Sequence, residues 1–385
     1  MKRKMIKILI LLFVLSISLF NISPSKAVSL EEPKTQWCHD FLFDLKYGQK
    51  GEEVKTLQTA LEKEGLFKGQ ISGYFGPLTF RSVKIFQEKY ENEILSPLKF
   101  KKGTGLVGIS TRTKLNELYG CSKFSISSLS LEQGDTLLIK IKTDLPPEKI
   151  RGNLGSKRII FFKIGENLWG ILGISAQEKP GKYNLIIEFP NGTFLKKELK
   201  IVERKFPITE LLVREELKEK GFTPSKIKEK VEKENEEISR ILQIFTPVPY
   251  FQESFTYPLE KIRVVGDFGN IRKSGKITIQ HLGVDLEAAT GTPVYAINDG
   301  IVRFSKKLTN YGKTIVIDHG MGIFSLYLHL NELKVFENQK VKRGEIIGLS
   351  GNTGYSISPH LHFSIKINGL SVDPLRFIET LEKEW

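Results

Sequence analysis

The sequence predicts a multidomain α+β chain: a small three-helix domain, a β-sandwich spacer, a connecting helix, and a mostly antiparallel β domain at the end. Three observations carry this reading. At 385 residues the chain exceeds one ordinary domain, so about two to four are expected. Apolar residues recur at helical spacing up to about residue 120 and fall in short strand-like runs after it. Five of the six histidines lie between 281 and 362, which places the chemistry in the last third. The boundaries read 1–27, 37–121, 124–204, 205–250 and 251–385. With 40% hydrophobic and 26% charged residues, the composition excludes an intrinsically disordered chain.

The first stretch is a targeting segment. Lys2, Arg3, Lys4 and Lys7 precede an apolar run over 8–20, and Ser25-Lys26-Ala27 puts small residues at −3 and −1 of a cleavage site after Ala27. This is a secretory signal peptide; left uncleaved it would act as a membrane anchor, though the run is short for a span. No cysteine follows it closely, which does not support lipoprotein anchoring. Cleavage removes Lys2, Arg3, Lys4, Lys7 and Lys26 and no acidic residue, taking the formal net charge from +14 to +9. A basic exported chain suits an anionic cell envelope, periplasmic or cell-wall. Nucleic acid is the competing partner, but the charge is dispersed and no nucleic-acid motif is present. The two cysteines, Cys38 and Cys121, bracket the helical domain, and in an exported chain a disulfide between them would staple its ends.

Within 37–121, the turn Gly48-Gln49-Lys50-Gly51 precedes a helix over 52–64 with Val54, Leu57, Ala60 and Leu61 on one face. A second helix over 79–90 follows the turn 73–77, and a third runs over 111–119. From 124 to 203 the runs 136–142, 158–162, 168–174 and 183–189 are separated by Gly, Pro and Asn, the pattern of an antiparallel β-sandwich. Thr223-Pro224 then opens a helix, Thr as N-cap and Pro at its first position. Its face carries Ile227, Val231, Ile238, Ile241, Leu242 and Phe245, while Glu234 and Asn235 stand where the next apolar residue should fall. That break argues for a docked connecting helix over a coiled coil. In 251–385, short β-like segments over 294–296, 300–306, 314–318, 324–330, 345–350 and 361–367 are spaced by glycines, as in an antiparallel sheet with tight turns.

Side chains at i and i+2 of a strand share a face. In 361–367, Leu361, Phe363, Ile365 and Ile367 form the apolar face, which places His360, His362, Ser364 and Lys366 on the other. His281 and Asp285 share a face whether that stretch is extended or helical. Two neutral imidazoles and a carboxylate suit a catalytic Zn²⁺ with one open position. The same donor types suit a non-haem iron oxygenase, a competing reading.

Two resemblances sharpen these expectations. "LKYGQKGEEVKTLQTALEKEGLF", "GYFGPLTFRSVKIFQEKY" and "GLVGISTRTKLNEL" resemble the peptidoglycan-binding domain that precedes many wall hydrolases, with a longer insertion over 91–105. The 124–203 region resembles the immunoglobulin-like spacer ahead of related catalytic domains. "GDFGNIR", "HLGVDLEAATGTPVYAINDGIV", "GKTIVIDHGMGIFSLYLHL", "VKRGEIIGLSGNTG" and "SPHLHFSI" closely resemble lysostaphin-type (LytM-like) zinc endopeptidases, which cut peptide cross-links of peptidoglycan. The resemblance implies one zinc ion held by His281, Asp285 and His362, with His329 and His360 unligated beside it. One imidazole would take the water proton; the other would steady the oxyanion or protonate the amine. Arg272 would add positive charge near the substrate carbonyl. His319 reads as a structural residue or one that supports a ligand, Ser364 as having no role, and 351–354 as a groove-lining turn. None of the expected positions is replaced, which weighs against the alternative of a non-catalytic peptidoglycan-binding or activator protein. The default bond is a stem-peptide cross-link of the D-Ala–diaminopimelate kind.

Overall fold

The computed structural model describes residues 37–385 apart from 121, 122, 191, 212, 214 and 220. The signal peptide and the Cys38–Cys121 pairing lie outside the described residues, since both depend on residues not among them. Among the described residues, no helix is long and apolar enough to cross a membrane.

The N-terminal region is helical. Helices Glu52–Lys63, Pro77–Lys89 and Ile109–Tyr119 each start directly after a glycine, Gly51, Gly76 and Gly108. Val54, Leu57, Leu61, Val83, Phe86 and Leu115 are buried between them. Two buried glutamines tie the turns to the helices. Gln58 accepts from Gly73 N at 2.9 Å and donates to Tyr74 O at 3.0 Å. Gln87 accepts from Gly105 N at 2.9 Å and donates to Leu106 O at 2.7 Å. The insertion over 91–105 adds a short helix, Glu91–Ile94, and a 3₁₀ turn, Ser96–Leu98.

Eight strands follow in one hydrogen-bonded path: Lys123–Ile126, Thr136–Lys142, Asn167–Gly173, Lys157–Ile164, Arg151–Leu154, Gly181–Glu188, Phe194–Val202 and Ser130–Glu132. Neighbours are antiparallel except the last pair. The strands enclose a core of Leu137, Ile139, Leu168, Leu185, Ile187 and Leu199. Their opposite face is also apolar, and there Leu138, Phe162, Trp169 and Ile171 join the core of the last domain.

That last domain is mostly β. Its main sheet runs Val264–Gly266, Val284–Glu287, His360–Ile367, Ile323–Leu330, Lys313–Asp318, Gly300–Lys307 and Lys340–Val341, with Leu370–Val372 on the flank of His360–Ile367. Every pairing in it is antiparallel. Beside it stands the hairpin Ile271–Ser274/Ile277–Gln280, extended in parallel by Ile208–Glu210 from the segment ahead of the connecting helix.

The connecting helix spans Pro224–Leu242, and the Thr223 hydroxyl accepts from Lys226 N at 3.3 Å. Its N-terminal half packs Ile227 with Phe222, Ile279, Tyr355 and Ile357. Its C-terminal half packs Ile238 with Phe304, Phe324 and Leu326 of the main sheet.

Candidate metal centre

Three of the sequence-predicted residues converge. Asp285 and His362 are directly paired across the Val284–Glu287 and His360–Ile367 strands. Asp285 Oδ1 lies 2.9 Å from His362 Nδ1 and 3.0 Å from His281 Nε2, and the two ring nitrogens are 2.9 Å apart. His281 follows the hairpin, and backbone bonds hold it on both sides: its N–H to Asn270 O at 2.8 Å and its carbonyl from Gly269 N at 2.7 Å. Gly283, between the two donors, lets the strands approach. A Cβ there would sit 2.5 Å from His362 Nε2 and 2.7 Å from Phe363 O.

The outward ring atoms fix the tautomers. His281 Nδ1 donates to Asp267 O at 2.8 Å. Ser364 Oγ donates to Leu282 O at 3.1 Å and therefore accepts from His362 Nε2 at 2.9 Å. His281 Nε2 and His362 Nδ1 are thus both lone pairs, facing each other and a carboxylate oxygen. Three lone-pair donors at such distances repel unless a cation joins them, so the residues fit a metal ion, two imidazoles and one carboxylate being a common catalytic donor set. His281, Asp285 and His362 form a group able to hold one.

The unligated pair is adjacent. The His329 and His360 rings are 5.0 Å apart, and His329 lies 6.1 Å from the His362 ring. His360 Nδ1 donates to Ser358 O at 2.7 Å, and its Nε2 is 3.5 Å from Asp285 Oδ1. His329 Nδ1 donates to Thr353 O at 2.8 Å, while its backbone sits in the left-handed region at φ 62. Arg272 Nη2 donates to Asp285 Oδ2 at 2.9 Å. The guanidinium therefore sits against the metal-facing carboxylate and remains partly exposed. His319 is fully buried away from this group, donating to Asp299 O at 2.8 Å with Ser325 Oγ 2.8 Å from its other nitrogen.

The electrostatics follow from burial and from the carboxylate. Burial alone would raise the Asp285 carboxyl, but the imidazoles set against it, His281 first and then His360 and His362, hold it well below the usual range. Burial pushes His362 down to about 4 and His329 to about 3. Burial would lower His360 as well, but the Asp285 carboxylate outweighs it and raises the ring.

Sequence reasoning missed Ser364, Asp267 and Thr353 as supports of the three rings. Ser364 stood on the ligands' face of an alternating strand and was legible as a neighbour of His362. The other two act through backbone carbonyls, which leave no residue-type signal.

An antiparallel sheet thus carries a His-Asp-His donor set able to hold a metal ion, with two further imidazoles beside it. Residues 279–374 match the model of peptidase family M23, and residues 50–91 match a "Putative peptidoglycan binding domain". The chain carries an M23 (lysostaphin-type) domain and, toward its N-terminus, a peptidoglycan-binding domain. It is 37% identical over 123 residues to the peptidoglycan DD-endopeptidase ShyA of Vibrio cholerae, 31% of this chain and 29% of that protein. It is 42% identical over 95 residues to the DD-carboxypeptidase/endopeptidase Mpg of Neisseria meningitidis, 25% of this chain and 22% of that one. The matches thus span under a third of these relatives' lengths. Among solved structures, the catalytic domain of the antimicrobial peptidase lysostaphin from Staphylococcus simulans is 33% identical with a TM-score of 0.27, covering 30% of this chain and 90% of that one.

Proposed function

We propose that the chain is a secreted, zinc-dependent endopeptidase that hydrolyses peptide cross-links of bacterial peptidoglycan. The observation that carries this is the convergence of His281 Nε2, Asp285 Oδ1 and His362 Nδ1 beside two unligated imidazoles, in a chain that also has a peptidoglycan-binding domain. His281, Asp285 and His362 would hold zinc, which when bound supplies Lewis-acid activation of water and of the scissile carbonyl. His329 and His360 each have Nδ1 committed to a backbone carbonyl, which turns Nε2 toward the centre, that of His360 lying 3.5 Å from Asp285 Oδ1. One takes the proton of the attacking water; the other steadies the oxyanion or delivers a proton to the leaving amine. Arg272, which donates to Asp285 Oδ2 at 2.9 Å, adds positive charge near the substrate carbonyl. The names of the curated relatives favour a DD cross-link between stem peptides as the bond. Export after cleavage at Ala27, a Cys38–Cys121 disulfide and an immunoglobulin-like spacer over 124–204 complete the proposal.

The test is incubation of the mature, zinc-loaded protein with purified cross-linked peptidoglycan, with fragments identified by mass spectrometry and His281→Ala in parallel. Loss of cross-linked dimers with newly freed peptide ends, absent in the variant, supports the reading and names the bond. Intact binding to the wall with no release by the unmutated protein would favour a non-catalytic wall-binding protein instead.

A further inference from the structure

The connecting helix has one feature that its packing does not explain: Glu234, a carboxylate on the buried face, only 7% exposed. Burying a carboxylate is costly unless donors meet it. Here two do. Asn310 N donates to Oε1 at 2.7 Å and Tyr311 N to Oε2 at 2.9 Å. The next residue of the helix continues the contact, Asn235 Oδ1 accepting from the Tyr311 hydroxyl at 2.8 Å. Burial raises the Glu234 carboxyl, and the backbone N–H groups of Asn310, Tyr311 and Thr309 work against that rise.

The turn so held touches the centre. Tyr311 O accepts the backbone N–H of His329 at 3.0 Å. Asn310 O accepts from Tyr355 N at 2.7 Å, and Lys313 N donates to Thr353 Oγ1 at 2.9 Å. Thr353 O in turn receives the His329 ring at 2.8 Å. The two turns are in backbone contact: Gly312 has φ +66, and a Cβ on it would lie 2.4 Å from Thr353 O. His329 itself adopts a left-handed backbone that a non-glycine residue keeps only when its surroundings over-determine it. We infer that Glu234 is a positioning residue for His329: its carboxylate clamps the 309–312 turn, and that turn holds both the backbone and the ring of the histidine. The helix is thus part of the catalytic unit, a statement that rests on the proposed peptidase function for its activity readout alone.

The experiment uses the full, zinc-loaded chain. Glu234→Gln keeps the shape but presents an N–H₂ to one of the two backbone donors; Glu234→Ala removes both acceptors. Ile238→Ala, one turn further on and buried against the sheet in the cluster that Leu308 and Tyr311 also pack on, serves as a control that loosens the helix but leaves the Glu234 acceptors and the backbone donors of the turn in place. With soluble cross-linked muropeptide as substrate, Glu234→Gln lowers kcat about 10-fold and Glu234→Ala up to about 100-fold, the range for residues that orient an active group, with KM and zinc content unchanged. Ile238→Ala lowers the melting temperature but keeps kcat. The His329 imidazole resonances shift in Glu234→Gln and not in Ile238→Ala. Losses of kcat that follow melting temperature equally in both variants, or an unchanged kcat and unshifted His329 ring in Glu234→Gln, overturn the inference. If the unmutated chain cleaves nothing, the peptidase reading fails and the ring resonance alone decides the clamp: a shift sustains it, no shift overturns it.

Discussion

Asp285 and His362 sit directly opposite each other on adjacent antiparallel strands, with Oδ1 2.9 Å from Nδ1. Two of the three metal-facing donors are therefore set by a single strand register. A slip of one residue would turn His362 into the core and Phe363 out of it. What prevents the slip is the opposite face, where Leu361, Phe363, Ile365 and Ile367 are fully buried.

Asp285→Asn tests the donor set. The amide keeps the shape and removes the charge. Residues behind a ligand cost about 10–100-fold in metal affinity when lost, so loss of a ligand's charge is expected to cost about 100-fold or more. Zinc titration against a competing chelator measures this, with circular dichroism confirming the fold. Wild-type affinity in this variant would remove Asp285 from the centre.

Ser364→Ala probes a residue that supports the centre without facing it. The Ser364 hydroxyl is the acceptor that keeps the proton of His362 on Nε2. Without it a buried N–H loses its partner, at about 1–3 kcal/mol, and the ring is free to change tautomer. Zinc affinity is expected to fall about 10–100-fold with the sheet intact. An unchanged dissociation constant would show that the strand alone orients the ring.

Much of this centre was legible because strand alternation is a strict code: one apolar face over 361–367 implies where His360, His362 and Ser364 point. Glu234 was visible only as a gap in an apolar face, since its partners are backbone N–H groups 76 and 77 residues away. The strand Phe194–Val202 escaped notice because Lys197 interrupts the alternation of Leu195, Leu199 and Ile201. The parallel pairing of Ile208–Glu210 with Ile271–Ser274 joins segments too far apart for local pattern to register. Conversely, the unbroken apolar runs in Lys157–Ile164 and Asn167–Gly173 are the signature of strands covered on both faces, which the structure explains by two cores.

His329→Ala and His360→Ala separate chemistry from metal binding. Each is expected to retain zinc, because neither belongs to the converging donor set. Each is expected to lower kcat about 10²–10⁴-fold, the usual value of a positioned acid or base. Atomic absorption on the purified variants, alongside muropeptide turnover, checks both halves. Loss of the metal with His360→Ala would move that residue into the ligand set.

His319 predicts a pH dependence of stability. Burial lowers its folded value to about 4 from 6.5, so below pH 6.5 the unfolded chain binds a proton that the folded chain refuses. Its contribution is present in full above 6.5 and is lost as pH falls toward 4, up to about 3 kcal/mol at about 1.36 kcal/mol per unit. His281→Ala supplies a metal-free background in which zinc release does not interfere. There, urea unfolding at pH 4.5 and 7 should show a smaller difference once His319→Gln is added. An equal difference in both would mean that His319 is not the group responsible.

The middle sheet and the last domain should unfold together. Trp169 stacks near Trp385 with ring centroids 4.9 Å apart, and Phe162 meets Phe251 at 5.9 Å. Arg204 donates to Asp373 at 2.9 Å, and Asp373 N bonds Gly134 O at 2.8 Å. A spacer joined only by a flexible linker would have none of these contacts. Ile171, on the shared face and 1% exposed, is the discriminating residue: Ile171→Ala should cost about 2–5 kcal/mol and lower the melting of the peptidase domain along with that of the sheet. Residues 251–385 expressed alone would expose Phe251, Val372 and the C-terminal helix, and are expected to aggregate. Calorimetry decides the matter, because two separate transitions, with the peptidase transition unmoved by Ile171→Ala, would refute a common core.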